Sequence, residues 1–358
     1  MYNSGNSSKN VRGSNIIDGT VEAADLATAV NNDIADGVAG KAVADLALPK
    51  AGGTMTGALN GTVLSDTDGN VRSGRKNWII NGDMKVSQRG DFTTATVTTN
   101  GDYNIDRWQS DSSVVTETVQ DTSRKIKYAA TSTATGLLGG GQGIELTDSF
   151  LDAKTVTISA KVTSNNPNAR ISFLYLGGAN AWVGGTAHTG GGTEETLTLT
   201  VTLPSALTRV KVDVRICDTD GVSNVAITNG DYIEFTDVQL ELGSVATDFE
   251  HRSYGEELAL CQRYYYSNLA EATARVQIDT YVLAGIYPVI NLTHPVTMRA
   301  APTVTKIGTW SVANIDEATI NFNANVTSVR IQASGTGTGG RGYANPIPGD
   351  GFTCEAEL

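Results

Sequence analysis

The stretch Val210-Lys211-Val212-Asp213-Val214-Arg215-Ile216 decides the fold class. Apolar and polar residues alternate through it without a break, the two-residue period of a strand with one face in a core and the other toward water. Val156-Thr157-Ile158-Ser159-Ala160-Lys161-Val162 and Leu197-Thr198-Leu199-Thr200-Val201-Thr202-Leu203 repeat the pattern. Outward from these, strand-like runs separated by turn residues recur at Thr94 to Thr99, Val114 to Val119, Lys125 to Ala129, Ile171 to Leu176 and Tyr232 to Leu242. Many short alternating strands predict antiparallel sheets stacked as a β-sandwich or jelly roll. The runs Gly139-Gly140-Gly141 and Gly190-Gly191-Gly192 lack the strand–helix setting and the Lys-Ser/Thr of a phosphate loop, and they read as plain loops.

The chain is mainly β, and four segments follow along it. Residues 1–48 combine a polar arm with an Ala-rich segment in which Leu26, Val30 and Ile34 fall four apart on one helical face. A helix this short is marginal alone, so the stripe points to packing between copies of the chain. Residues 49–75 form a Gly-punctuated turn element and a linker, and residues 76–252 form the sandwich. Residues 253–358 open with a short helix carrying Leu258 and Cys261, and continue as a β-rich C-terminal tip. Tyr264 and Tyr265 read either as lining an interchain seam or as packing within their own chain.

A formal net charge of −12 argues against nucleic acid and against anionic membrane surfaces, both of which need clustered Lys and Arg. No run approaches the ~18 apolar residues of a membrane span. The polar opening MYNSGNSSKN lacks the apolar core of a secretory signal. Cys217, Cys261 and Cys354 are widely spaced and odd in number, as in a protein made in a reducing cytosol.

Several motifs resemble those of phage tail fibres. Leu48-Pro49-Lys50-Ala51-Gly52-Gly53-Thr54-Met55-Thr56-Gly57-Ala58-Leu59 is similar to a collar-like element of trimeric fibre shafts, with Gly53 where that family often has a polar residue. Asn77-Trp78-Ile79-Ile80-Asn81-Gly82-Asp83-Met84, Gln88-Arg89-Gly90 and Asp106-Arg107-Trp108 resemble the opening of a domain common in phage tail proteins. Asp237-Val238-Gln239-Leu240-Glu241-Leu242-Gly243 and Thr247 to Arg252 resemble its closing strand and exit, and Thr293 to Thr305 resembles a stretch of fibre tips. The resemblance implies a carbohydrate-binding-like jelly roll in a homotrimeric fibre, docked to the virion through its N-terminal arm. It implies attachment to a host-surface polysaccharide without catalysis, and a virion location after synthesis in the host cytoplasm. It also implies a structural calcium ion as the one candidate cofactor, with Asp83 and Asp237 as its side chains.

The residues themselves support no enzyme. No Cys or His pair has zinc spacing, no GxSxG elbow occurs, and adjacent Glu194 and Glu195 face opposite ways on a strand. Glu256 and Glu257 read as solvated. Sugar recognition needs an exposed ring and nearby hydrogen-bonding groups, and Trp182 with Asn180, in a polar Gly-flanked segment, is the best candidate. Trp78 and Trp108 read as core. Two other classes remain: a purely structural head fibre, collar or adaptor, and a capsule depolymerase with a carboxylate pair in a groove.

Overall fold

The computed structural model describes residues 75–113, 117–146, 149–269, 278–336 and 340–358. Leu26, Val30 and Ile34, and all of residues 1–74, lie outside them. The described chain is mainly β, as the alternation predicts.

The sandwich is two antiparallel sheets face to face. The six-stranded sheet runs in the order β1 (Thr96–Thr98), β3 (Glu117–Asp121), β4 (Ile126–Ala130), β13 (Tyr232–Leu242), β7 (Thr155–Ser164), β10 (Glu194–Thr202). The five-stranded sheet runs β2 (Gln109–Ser110), β6 (Leu138–Ile144), β11 (Arg209–Ile216), β8 (Ala169–Leu176), β9 (Ala181–Gly184). A small pair, β5 (Ala134–Gly136) and β12 (Val225–Ile227), closes one end. Val210, Val212, Val214 and Ile216 project inward to meet Ile158, Val162, Phe235 and Trp108 in one continuous core, all of them buried. The alternation thus places Lys211, Asp213 and Arg215 on the outer face of the five-stranded sheet.

The Gly139–Gly141 run is not a loop but the middle of β6. Glycine is poor at forming strands, yet each one here is required by what lies over it. A Cβ on Gly140 would collide with the Tyr128 ring, one on Gly141 with the Asp213 carboxylate, and one on Gly139 with Arg215.

Ser253 caps the helix α1 (Tyr254–Gln262) through a reciprocal capping box with Glu256. Glu256 is exposed, but Glu257 is buried, not solvated. Its carboxylate accepts from the Asn81 amide and pairs with Arg252 at 3.3 Å. Three three-stranded sheets form the tip: β14 (Tyr265–Leu269), β22 (Gly351–Glu355), β17 (Thr303–Ile307); β15 (Ile278–Val282), β21 (Gly340–Pro346), β18 (Trp310–Ala313); and β16 (Val289–Thr293), β20 (Ser328–Gly335), β19 (Ile315–Ala324). They enclose a second, smaller core around Trp310, Ile331 and Phe352.

Tyr264 and Tyr265, weighed as an interchain seam, are buried inside their own chain. The Arg107 guanidinium lies 3.6 Å from the Tyr264 ring centre and that of Arg89 lies 3.8 Å from Tyr265. Tyr264 also donates to Glu145 at 2.6 Å. Their ring faces are spent on cations that join sandwich to tip.

Candidate functional site

The outer face of the five-stranded sheet carries a charged cluster that the core-facing pattern alone does not require. Across the sheet, Lys211, Asp213 and Arg215 of β11 lie opposite Gly143, Gly141 and Gly139 of β6. On the other side they lie opposite Leu174, Ser172 and Arg170 of β8. With no side chains from β6, the Asp213 carboxylate lies flat over Gly141, toward Asp111 beyond β2. Asp111 Oδ2 accepts from Lys211 Nζ at 2.6 Å and from Arg215 Nη1 at 3.0 Å. Lys211 Nζ also lies 2.8 Å from Asp213 Oδ1. Arg215 is further fixed by Ser172 Oγ at 3.3 Å and by the Gly221 carbonyl, so a loop folds over the end of the face.

Electrostatics divide the two carboxyls. Burial raises that of Asp111, but the adjacent Lys211 and Arg215 outweigh it and hold it at about 2. Asp213 is wholly buried, and burial, helped by the charge of Asp111, pushes it up to about 7 against the pull of Lys211. Near neutrality the face therefore carries an ionised Asp111 between two cations and an Asp213 that is half protonated.

Trp182 completes this face. It sits on the edge strand β9, opposite Leu174, not in a loop, and is half-buried. Its ring lies 4.3 Å from the Arg215 guanidinium. Asn180 is exposed just outside the strand, and its side-chain oxygen accepts from the Gly177 amide at 2.9 Å, shaping the turn that presents Trp182. The structure thus brings Trp182 together with Arg215, Asp111 and Lys211. Sequence reading missed these last three because Lys-Asp-Arg on the polar face of a strand looks like ordinary solvated surface. The available signal was the facing glycine run, which leaves room for charges to converge.

Asp83 and Asp237 also come together, on the lining of one small pocket of about 200 Å³ with Arg124, Lys125 and His251. Asp237 stands at φ 51° in a bulge of β13 between Thr236 and Gln239. Asp83 pairs with Lys85 at 2.9 Å and Arg124 at 2.5 Å, and Asp237 pairs with Lys161 at 2.7 Å. Calcium takes six to eight oxygens. Two carboxylates already engaged by three cations do not fit it, and among the described residues no group of three or more His, Cys, Asp or Glu converges. A larger cavity of about 510 Å³, lined by Trp78, Phe150, Arg75, Arg263 and Glu145 among others, lies beside α1. Its guanidinium groups already pair with acids, Arg263 with Glu145 and Arg75 with Glu256.

No protein-family model matches the chain, and no curated protein does. Among solved structures, the chain is similar to a CBM4 module at 21% identity, covering 46% of this chain and 98% of that one, with a TM-score of 0.26. It is also similar to a family 16 carbohydrate-binding module at 11% identity, covering 36% and 86%, with a TM-score of 0.25. A third is a Clostridium thermocellum xylanase 10B, its CBM22-1 and GH10 modules complexed with xylohexaose, at 12% identity, covering 45% and 30%, with a TM-score of 0.28. Likeness at this level carries no argument about ligands, and the functional reading rests on the residues described above.

Proposed function

We propose that this chain is a non-catalytic attachment protein of a phage tail fibre, binding host-surface glycan on the outer face of the five-stranded sheet. The observation that carries the glycan reading is Trp182, partly exposed at the edge of a face where Arg215, Lys211 and Asp111 converge. An indole face stacks on the apolar side of a pyranose, and fixed polar groups select among hydroxyls. The tail-fibre part, with its virion location and a partner for the N-terminal arm, rests on the motif resemblances. The homotrimer rests on the same resemblance and on an exposed apolar run in the tip, Tyr281, Leu283, Ile286, Tyr287 and Val289, of the kind that marks contact surfaces. Several weak sites on one fibre then bind through avidity.

The test is a glycan array and a host-cell binding assay with the purified full chain. Trp182→Ala is expected to lose at least about tenfold in affinity with its near-UV spectrum otherwise native. A folded wild type that binds no glycan and no host cell would leave the structural-spacer reading in its place.

One observation favours a depolymerase: Asp111 and Asp213 sit together with carboxyls at about 2 and about 7, the split that acid–base catalysis uses. Yet Asp213 has no exposed surface from which to reach a glycosidic oxygen. We therefore read Asp111 as a brace for Lys211 and Arg215, and Asp213 as a brace for Lys211. Release of reducing ends from a host polysaccharide would reverse that preference.

A further inference from the structure

Resting on the glycan reading, we propose that the site selects acidic sugars, with Arg170, set against the buried Arg215, binding a carboxylate carried on the glycan beside Trp182. Arg170 and Arg215 are direct cross-strand partners on β8 and β11. Like charges placed opposite each other on a sheet repel, and both side chains are taken out of water, with Arg170 5% exposed and Arg215 1%.

Arg215 shares its single acid, Asp111, with Lys211. Arg170 has no acidic partner among the described residues. It makes only two long bonds to backbone carbonyls, from Nε to Asn168 at 3.3 Å and from Nη1 to Gly185 at 3.5 Å. Its Nη2 makes no hydrogen bond among the described residues and is not sealed from solvent, so it is the atom an incoming anion meets. A desolvated guanidinium without a counter-ion is costly, and an anion from outside relieves it.

The charge on the face agrees. Arg170, Lys211 and Arg215 stand against Asp111 and a partly protonated Asp213, an excess of positive charge on a chain whose net charge is −12. A planar guanidinium fork matches a carboxylate through two parallel hydrogen bonds. The neighbouring indole matches the sugar ring that would carry it. A hexuronate residue within an oligosaccharide offers both groups.

The experiment is calorimetric titration of the full chain with a hexuronate-containing oligosaccharide, with the same oligosaccharide after reduction of its carboxyls, and with a phosphate-bearing analogue. Wild type is expected to bind the uronate form at least tenfold more tightly than the reduced form, and more tightly than the phosphate form. Arg170→Gln is expected to lose that preference, binding the uronate and reduced forms with equal affinity. Arg170→Lys, which keeps the charge but not the fork, is expected to keep only part of it. Should Arg170→Gln fail to fold, the wild-type comparison and the lysine variant still decide. Equal wild-type affinity for uronate and reduced forms overturns acid selectivity and leaves the glycan reading standing. A preference for the phosphate form overturns the carboxylate assignment. Binding of none of the three at millimolar concentration overturns this inference together with the glycan reading.

Discussion

At Gly141 the absence of a side chain is a structural requirement, because the Asp213 carboxylate occupies the volume a Cβ would fill, with the Val212 carbonyl 2.9 Å away. Gly141→Ala must displace a buried acid that is tied to Lys211. It is expected to lower stability by roughly 2–4 kcal/mol, read by urea denaturation. A second residue-scale prediction concerns Glu117. It is buried and accepts from the hydroxyls of Ser110 and Ser112. Burial dominates those bonds and pushes its carboxyl from 4.5 to about 7. The native state therefore holds a proton that the unfolded chain gives up between those values, so stability from this group falls as pH rises from about 4.5 to about 7. Glu117→Gln, which keeps an acceptor and carries no charge, is expected to flatten the slope of unfolding free energy over that window by up to about 1.4 kcal/mol per pH unit. An unchanged slope would place the titration elsewhere.

Among elements, β7, β10 and β11 were legible as strands because valine and leucine alternate with polar residues along them; β10 keeps its polar face in water as the alternation assigns, whereas β7 and β11 bury most of their polar residues as well. Strand β6 was not. Its sequence Leu138-Gly139-Gly140-Gly141-Gln142 has no alternation to read, and its conformation is set by Tyr128, Asp213 and Arg215, which are distant along the chain. The site was half legible for the same reason. Trp182 stood out by type, whereas Asp111, Lys211 and Arg215 acquire meaning only once β2, β6 and β11 lie side by side. Glu257 was misread because its partners, Asn81 and Arg252, come from segments that only the fold brings to the helix. That helix starts at a reciprocal cap between Ser253 and Glu256. Ser253→Ala is expected to cost about 1 kcal/mol, measured as a shift in denaturation midpoint without a change in m-value.

Over the whole described chain, sandwich and tip are joined by ion pairs more than by a shared apolar core. Arg89 reaches Glu355 and Glu357, Arg107 is held by Glu357, and Arg263 grips Glu145 at 3.0 and 2.8 Å. Arg107 and Glu357 are both nearly sealed from water, so losing one partner strands the other. Glu357→Gln is expected to destabilise by about 3–5 kcal/mol. In calorimetry the single transition expected of wild type should split, with the tip melting first. A single transition displaced by less than a degree would show that other contacts carry the joint.

The pairing of Arg107 with Glu357 spans 250 residues of sequence. On a ribosome, at about 5–20 residues per second, the guanidinium emerges roughly 12–50 s before the carboxylate that neutralises it. In the last part of that interval, once β13 has emerged, the nascent sandwich holds an uncompensated charge at the edge of its core, and closure there is held back until the distant segment arrives. A chain stalled within the tip would then expose an incompletely closed sandwich to chaperones and proteases, so that a defect in translating one lobe is felt in the other.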